Sequence, residues 1–397
     1  MADPCEHSVE QVDSQPPKRR ILVVLRHFAE GHGGQPESIL MLAKHLRPLE
    51  VEVDVVSQEG FCWSAAQFAD LGATSTEQRR FRWAEAKRRH YAIVFIVGSW
   101  NPRSLAFALW SRRNGIPLVY AAKGNLCRIE FTRTRDIKKV PYLICLESLL
   151  LLSAQRIICS SAMEQDAYAL PGPLVRHKML IIPEPFCPMP FSSKDTHVTA
   201  NGDCPSIGFL AEISPRKGLI EFVEGALLAF EQLGQFAFSV RIAGSPRPGS
   251  ERYLEKVRAL IKQSRFSARF KWYGRLRGKA RYDFYQSIDI FACPSRFESF
   301  GLTPIEALGL GKPVIMSNRL GLLEFLPANA PVKIMPDFRP TTISRAIAST
   351  LAEREDLATR ARTFLTPETL TSASLASSFC EALLGQPHRG HPDLMRS

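Results

Sequence analysis

No apolar run in the 397-residue sequence reaches the roughly 20 residues that a membrane-spanning helix needs. The nearest candidate, residues 140–152, is short and contains Glu147, which predicts a buried helix. Residues 1–19 lack the apolar core of a signal peptide, and we interpret them as a disordered leader. With 45% hydrophobic and 23% charged residues, the composition is typical of a soluble globular protein.

Paired cysteines are also missing. The nine cysteines are scattered along the chain, odd in number and never in a C-x-x-C pair. This pattern argues against both a structural zinc site and a disulfide framework. Reduced thiols are typical of a reducing compartment, so we expect the protein to be cytoplasmic.

Acidic residues are in the minority, and the net charge is +12. Basic residues cluster at 79–89 and again at 128–139, both in the first half of the chain. A solvated surface, an anionic membrane surface and nucleic acid compete as interpretations. No helix-turn-helix, RNP or zinc-finger pattern is present, so nucleic acid is not expected as a partner. Charge alone leaves a peripheral position on the inner membrane face open.

Short apolar strands alternate with amphipathic helices along most of the chain, without a repeat of 20–50 residues. Strands are predicted at 21–25, 51–56, 92–97, 117–121, 156–159 and 179–182, and again at 206–210, 238–243, 270–273, 288–293, 313–316 and 332–335. This alternation predicts an α/β fold of two Rossmann-like parallel-sheet domains that face each other across a cleft.

A proline-rich break separates the two series of strands. We predict a first domain at 20–182, a linker at 183–205 and a second domain at 206–365. Helices at 366–385 are expected to cross back to the first domain, and 386–397 is predicted to be a frayed tail.

The most informative segment is 294–313. It leaves a buried strand, crosses a loop with Glu298 and is predicted to enter a helix at Thr303 and Pro304. Free backbone N–H groups at such a helix start suit a diphosphate. Thr303 and Glu306 also have the spacing of a capping box, in which Glu306 only caps the helix.

Residues from about 204 to 365 resemble the nucleotide-sugar-binding half of retaining glycosyltransferases of family 4, which have the GT-B fold. The resemblance rests on the order and spacing of several elements, which are 214–218, 242–245, 272–274, 289–295, the pair Glu298 and Glu306, and 311–314. The first half is similar more loosely, through Gly33-Gly34 and Lys123-Gly124.

The resemblance implies roles for individual residues. Glu298 and Lys217 would be catalytic, with Lys217 stabilising the leaving diphosphate and Glu298 contacting the sugar near the reacting carbon. Glu306 would bind the ribose. The other donor-binding positions would be Gly33, Gly34, Lys123, Arg216, Gly244, Ser245, Arg275, Gly301, Leu302 and Thr303. The resemblance further implies a metal-independent reaction without a cofactor, because cationic side chains replace the metal, and no D-x-D site is seen. It implies a UDP- or GDP-sugar donor and a saccharide or lipid-linked saccharide acceptor, with retention by front-face attack.

Two positions depart from the family pattern. Glu212 occupies the place where the family commonly has a second arginine, and Lys123 stands where many members have histidine. Arg216 offers a replacement cation beside Lys217. Two alternatives therefore stay open, namely another enzyme on the same fold, such as a nucleotide-sugar epimerase or a glycogen-type synthase, and a non-catalytic nucleotide-sugar-binding protein.

Overall fold

The computed structural model describes residues 19–27, 35–59, 73–77, 81–131, 140–169, 171–186, 204–235, 237–364 and 370–385. The strands are β1 Arg19–His27, β2 Val51–Glu59, β3 Ala73–Glu77, β4 Ile93–Val97, β5 Leu118–Ala121, β6 Arg156–Cys159, β7 Met179–Ile181, β8 Ser206–Leu210, β9 Ser239–Ala243, β10 Phe270–Gly274, β11 Ile290–Cys293, β12 Val314–Ser317 and β13 Val332–Met335.

The helices alternate with these strands. They are α1 Gln35–Leu46, α2 Trp83–Arg88, α3 Ser104–Arg113, α4 (Val140–Tyr142, a π-helical turn Leu143–Glu147 and Ser148–Ser153), α5 Ala162–Ala167, α6 Leu219–Leu233, α7 Glu251–Gln263, α8 Gly278–Ser287, α9 Leu302–Gly309, α10 Pro340–Ala352, α11 Arg354–Thr363 and α12 Ser372–Leu384.

The strands form two parallel sheets, as the alternation predicts. The first has the order β3-β2-β1-β4-β5-β6-β7 and the second the order β10-β9-β8-β11-β12-β13. Both are doubly wound, with the strand order reversing between β1 and β4 and between β8 and β11. The predicted fold of two Rossmann-like domains is therefore confirmed.

Both faces of each sheet are buried, which explains the continuous apolar runs in the sequence. In β1, Ile21 and Val23 pack beneath α1, while Leu22 and Val24 belong to the core on the opposite face. Helices α6, α7 and α10 cover one face of the second sheet, and α8 and α9 cover the other. Helix α12 packs against α1, so the chain returns to the first domain.

Two sequence expectations fail. Strand β3 was not predicted, because Ala73–Glu77 is a polar edge strand without an apolar run. The helix at 140–152 was expected to be buried, but only one side of it is. Leu150 and Leu151 lie in the core, whereas Ile144 is 64% exposed. Within the described ranges, no helix combines the length and the apolar character needed to cross a bilayer.

Candidate functional site

Side chains with predicted roles gather where the second sheet reverses its strand order. Lys217 follows β8 and Glu298 follows β11, two strands that are hydrogen-bonded neighbours. In open α/β sheets, the crevice outside the carboxyl ends at such a switch point is where ligands bind. The topology thus joins two residues that are 81 positions apart in sequence.

The carboxylate of Glu298 is held by two cations. The ammonium of Lys217 donates a hydrogen bond to Oε1 of Glu298, and a guanidinium nitrogen of Arg216 lies 3.8 Å from Oε2. Arg216 also donates to the carbonyl of Phe297 at 3.3 Å. The neighbouring cations therefore converge on one point, a geometry that sequence adjacency alone does not guarantee.

Glu298 is the more acidic of the two glutamates at this site. Burial raises the pKa of its carboxyl. The charges of Lys217 and Arg216, together with hydrogen bonds, lower the pKa by more than burial raises it, so the net pKa lies below the ordinary value. An ionised carboxylate that holds two cations gives a compact patch of positive charge in a largely enclosed place, since the side chain of Glu298 is only 13% exposed.

Glycine makes this close approach of loops sterically feasible. Gly218 has φ +69°, and a Cβ there would lie 2.1 Å from the carbonyl oxygen of Pro294. The backbone N–H of Arg296 donates to the carbonyl of Arg216 at 2.7 Å, which ties the loop after β8 to the loop after β11. Residue 218 must therefore be glycine for Lys217 to reach Glu298.

The start of α9 differs from the sequence expectation. The helix begins at Leu302, with Gly301 at its N-cap in a left-handed conformation of φ +125°. Thr303 is consequently the second helical residue, and the predicted capping box of Thr303 and Glu306 is wrong. Glycine has no side chain with which to cap, so the helix start faces the site with backbone N–H groups of the kind that bind anions.

Glu306 is instead held by side chains from α8. A guanidinium nitrogen of Arg281 donates to Oε1 of Glu306, and the hydroxyl of Tyr285 donates to Oε2 at 2.8 Å. Arg281 also donates to Glu37 of the first domain at 2.8 Å. Burial raises the pKa of the Glu306 carboxyl, and the opposing effect of Arg281 and Tyr285 does not fully cancel the increase.

Arg281, Tyr285 and Glu37 were missed in the sequence. Arg281 and Tyr285 are four residues apart, so they share one face of α8, and that spacing is the signal that was available. Glu37 lies in the first turn of α1. This helix begins directly after residues 28–34, which include Gly33 and Gly34. Both predicted glycines lie outside the described residues.

Ser245 and Arg275 meet at the ends of β9 and β10. Nε of Arg275 donates to the hydroxyl of Ser245 at 2.9 Å. The preceding Gly244 has φ +138°, and a Cβ there would lie 1.9 Å from the carbonyl oxygen of Ala211. Predicted positions Gly244, Ser245 and Arg275 thus form one side of the same carboxyl edge.

Lys123 lies on the first-domain side, in a tight turn with φ +56°. Its ammonium is 2.6 Å from Oε1 of Glu184, and both side chains are nearly buried. The next residue, Gly124, approaches the second domain, where an added Cβ would lie 3.3 Å from Cβ of Ser299. Glu184 belongs to the predicted linker, but it is buried in contact with the first domain.

Glu212, the other departure, is exposed and has no hydrogen bond or ion pair to another residue of the described ranges. The positive patch of Lys217 and Arg216 forms without involving it. A carboxylate at position 212 therefore leaves the contacts of Glu298 intact.

Hydrogen bonds connect the two domains beside the site. The hydroxyl of Ser161 donates to the carbonyl of Ser299 at 2.7 Å. The carboxylate of Glu324 accepts from the backbone N–H groups of Ala162 and Met163, each at 2.7 Å, and so caps α5 of the other domain. These contacts place the carboxyl ends of the two sheets opposite each other.

Comparison with known proteins shows what the second half of the chain is similar to. The family model described as glycosyl transferases group 1 matches residues 194–363. A D-inositol 3-phosphate glycosyltransferase of Jonesia denitrificans is 31% identical over 160 residues, which are 39% of this chain and 38% of that protein. The lipopolysaccharide core biosynthesis mannosyltransferase LpsB of Rhizobium meliloti is 47% identical over 36 residues, 9% of this chain and 10% of that protein. The matched parts thus span well under half of either curated relative.

A likeness over the whole length comes from solved structures. The crystal structure of Anabaena Alr3699/HepE in complex with UDP and glucose aligns with a TM-score of 0.71 and 16% identity, covering 92% of this chain and 99% of that one. Such low identity establishes the shared fold alone, with its two facing parallel-sheet domains.

Proposed function

Starting from a glycosyl transferases group 1 domain on a GT-B fold, we propose that the protein is a retaining glycosyltransferase that uses a nucleotide-diphosphate sugar. The donor is a UDP- or GDP-sugar, and the acceptor is a saccharide or lipid-linked saccharide. The name of the Rhizobium relative, a lipopolysaccharide core mannosyltransferase, favours cell-surface polysaccharide synthesis as the setting.

The observation that carries the proposal is the convergence of Lys217 and Arg216 on Glu298 at the switch point. In the reaction, the bond between the anomeric carbon and the diphosphate breaks, and negative charge develops on the diphosphate. Cations and helix N–H groups that are already in place stabilise this charge without reorganising. Lys217, Arg216 and the start of α9 are therefore the proposed diphosphate site.

Glu306 supports the donor's ribose in this proposal. Its carboxylate is held by Arg281 and Tyr285, and ribose hydroxyls would donate to the lone pairs that these two hydrogen bonds leave available. Glu298 is proposed to accept hydrogen bonds from the sugar near the reacting carbon once the diphosphate engages Lys217. Gly244, Ser245 and Arg275 complete the donor site along the neighbouring strand ends.

Retention is proposed to proceed by front-face attack, in which the leaving phosphate helps to deprotonate the acceptor. No protein nucleophile is needed in such a mechanism, and a metal-independent reaction follows from the cationic diphosphate site. We place the reaction in the cytoplasm, at the inner membrane face when the acceptor is lipid-linked.

Thermal unfolding in the presence of nucleotides tests the donor site. Ligand at 100 times its dissociation constant stabilises a fold by about 2.7 kcal/mol, so UDP or GDP should raise the unfolding midpoint without added metal. Lys217→Ala should abolish the rise and lower donor turnover by about 10² to 10³-fold. Lys279→Ala, which removes an exposed cation of α8, serves as the matched control.

Product analysis then separates the alternatives. A new glycosidic bond of unchanged anomeric configuration supports the proposal, whereas free epimerised donor would assign an epimerase. Nucleotide binding without donor hydrolysis or a glycosidic product would favour the non-catalytic alternative and contradict the proposal.

A further inference from the structure

The first domain carries an apolar surface with no covering element in the described part of the chain. Five of its exposed large side chains lie on three neighbouring segments, and we call this surface the leucine patch: Leu109, Ile144, Leu149, Leu152 and Leu174. Their exposed fractions range from 48% for Leu109 and Leu149 to 69% for Leu174. Monomeric soluble proteins rarely present such a cluster without an interaction partner.

The π-helical turn in α4 aligns the centre of this patch. Residues five apart are the hydrogen-bonded neighbours in a π-turn, so Leu143–Glu147 brings Ile144 nearly into line with Leu149. Leu152 follows one ordinary helical turn later. In an uninterrupted α-helix, Ile144 would point away from that stripe.

The flanking segments extend the stripe into a surface. Helix α3, with Leu109, packs against the last part of α4, and so does the short helical turn Gly172–Lys178, with Leu174. The ammonium of Lys178 donates to the carbonyl of Leu152 at 2.8 Å, which fixes the second contact.

Charge on these three segments has one sign. They contain the basic residues Arg112, Arg113, Arg176 and Lys178, and their one acidic residue, Glu147, is fully buried. Arg176 pairs with Asp166, whereas Arg112 and Arg113 are exposed at the end of α3. The other basic cluster, near α2, is partly neutralised, because Arg89 pairs with Asp54 and Glu85.

From these observations we infer that the leucine patch is the surface by which the protein binds an anionic lipid bilayer. Exposed aliphatic side chains beside the exposed cations Arg112 and Arg113 match the interface of such a bilayer, while the exposed carboxylate of Asp166 is neutralised by its pair with Arg176. The inference rests on the proposed function only because a lipid-linked acceptor would bring the protein near a membrane. It identifies which surface would contact that membrane, a question that the net charge of the chain does not answer.

The patch also has a defined position relative to the cleft. The ring of Tyr142, at the start of α4, lies 5.6 Å from the ring of Trp100, which follows the carboxyl end of β4. Since ligands bind at the carboxyl edge, lipid contact along α4 holds that edge close to the headgroups.

Co-sedimentation of the full chain with vesicles tests the inference, without donor or acceptor. We expect binding to mixed phosphatidylcholine–phosphatidylglycerol vesicles and little binding to phosphatidylcholine alone. Leu149→Ser with Leu152→Ser should lower the partition coefficient by about tenfold or more. Arg112→Gln with Arg113→Gln should lower it by about 25-fold, since each cation near an anionic surface contributes roughly fivefold.

Matched controls lie on the second domain. Leu233→Ser with Ile334→Ser removes two comparably exposed apolar side chains, and Arg252→Gln with Lys256→Gln removes two exposed cations. Both should bind vesicles like the parent, and all variants should keep its unfolding midpoint.

Absence of vesicle binding by the parent, or equal losses in the control variants, would overturn the inference. A dimer in sedimentation velocity that Leu149→Ser with Leu152→Ser dissociates, with no lipid binding, would assign the patch to a second copy of the chain instead. Nucleotide stabilisation is measured separately, so failure here leaves the donor-site proposal standing.

Discussion

Arg281→Met is the substitution that most directly tests how the site is held. Arg281 is 19% exposed and lies between Glu306 and Glu37, so its loss leaves the nearly buried Glu306 carboxylate without its cation. Removing one partner of a buried ion pair costs about 3–5 kcal/mol. For a domain of this size, roughly 2–4 °C per kcal/mol predicts a decrease of about 6–20 °C in the unfolding midpoint.

The assay is calorimetry at pH 8, following the transition of the second domain. Lys279→Met is the control on the same helix, because it breaks an exposed i,i+4 pair with Asp283 that is worth about 0.3–0.5 kcal/mol. Glu306→Gln combined with Arg281→Met should recover much of the loss, since no uncompensated charge is then buried.

The pH dependence adds an independent check. The pKa of Glu306 is already raised in the folded protein by burial, and losing Arg281 raises it further. A raised folded pKa means that the folded state binds the proton more tightly, so this group stabilises less as pH increases above its ordinary value. The deficit of Arg281→Met should therefore shrink toward acidic pH. A midpoint no lower than that of Lys279→Met, or no recovery in the double variant, would refute the reasoning.

Two further predictions follow from the same site. The folded pKa of Glu298 lies below its ordinary value of 4.5, so its stabilising contribution is present above pH 4.5 and is lost as pH falls through the folded pKa. Glu298→Gln should therefore show a smaller decrease in unfolding midpoint between neutral and acidic pH than the parent. An identical pH profile would contradict the ion pair. Gly218→Ala should unfold several degrees lower than Gly274→Ala in calorimetry. Both residues have φ near +70°, but only residue 218 would place a Cβ against a backbone carbonyl. Equal midpoints would mean that the loops after β8 and β11 can separate freely.

The fold followed from the sequence wherever burial on both faces of a sheet leaves a continuous apolar run. Strands β6 and β8 have the predicted bounds for this reason, since Arg156–Cys159 and Ser206–Leu210 are buried along almost their whole length. Strand β3 escaped because an edge strand such as Ala73–Glu77 need not be apolar. Helix α4 was misjudged because an apolar composition does not reveal which faces a neighbouring element covers.

The candidate site was less accessible to sequence reasoning. Lys217 and Glu298 could be identified because each lies in a motif that directly follows a predicted strand. The sheet topology then places these two strands, β8 and β11, side by side. Arg281 is one of several basic residues near β10, and nothing local distinguishes the one that turns inward. The capping box failed because its spacing is satisfied equally by a glutamate whose carboxylate is already held by Arg281 and Tyr285.

The carboxylate of Glu324 matters for anyone who wishes to recombine domains of this architecture. It supplies acceptors for two backbone N–H groups of α5 in the other domain, so the first domain's own sequence does not complete that helix. A chimera that joined residues up to 186 to a foreign second domain would keep the N-cap of α5, in which the hydroxyl of Ser161 accepts from the N–H of Glu164 at 3.0 Å, but it would lose the acceptor of Ala162 and Met163. Domain grafting is therefore expected to cost less stability when the incoming domain brings a carboxylate at the equivalent position, or when another acceptor is supplied for these two N–H groups.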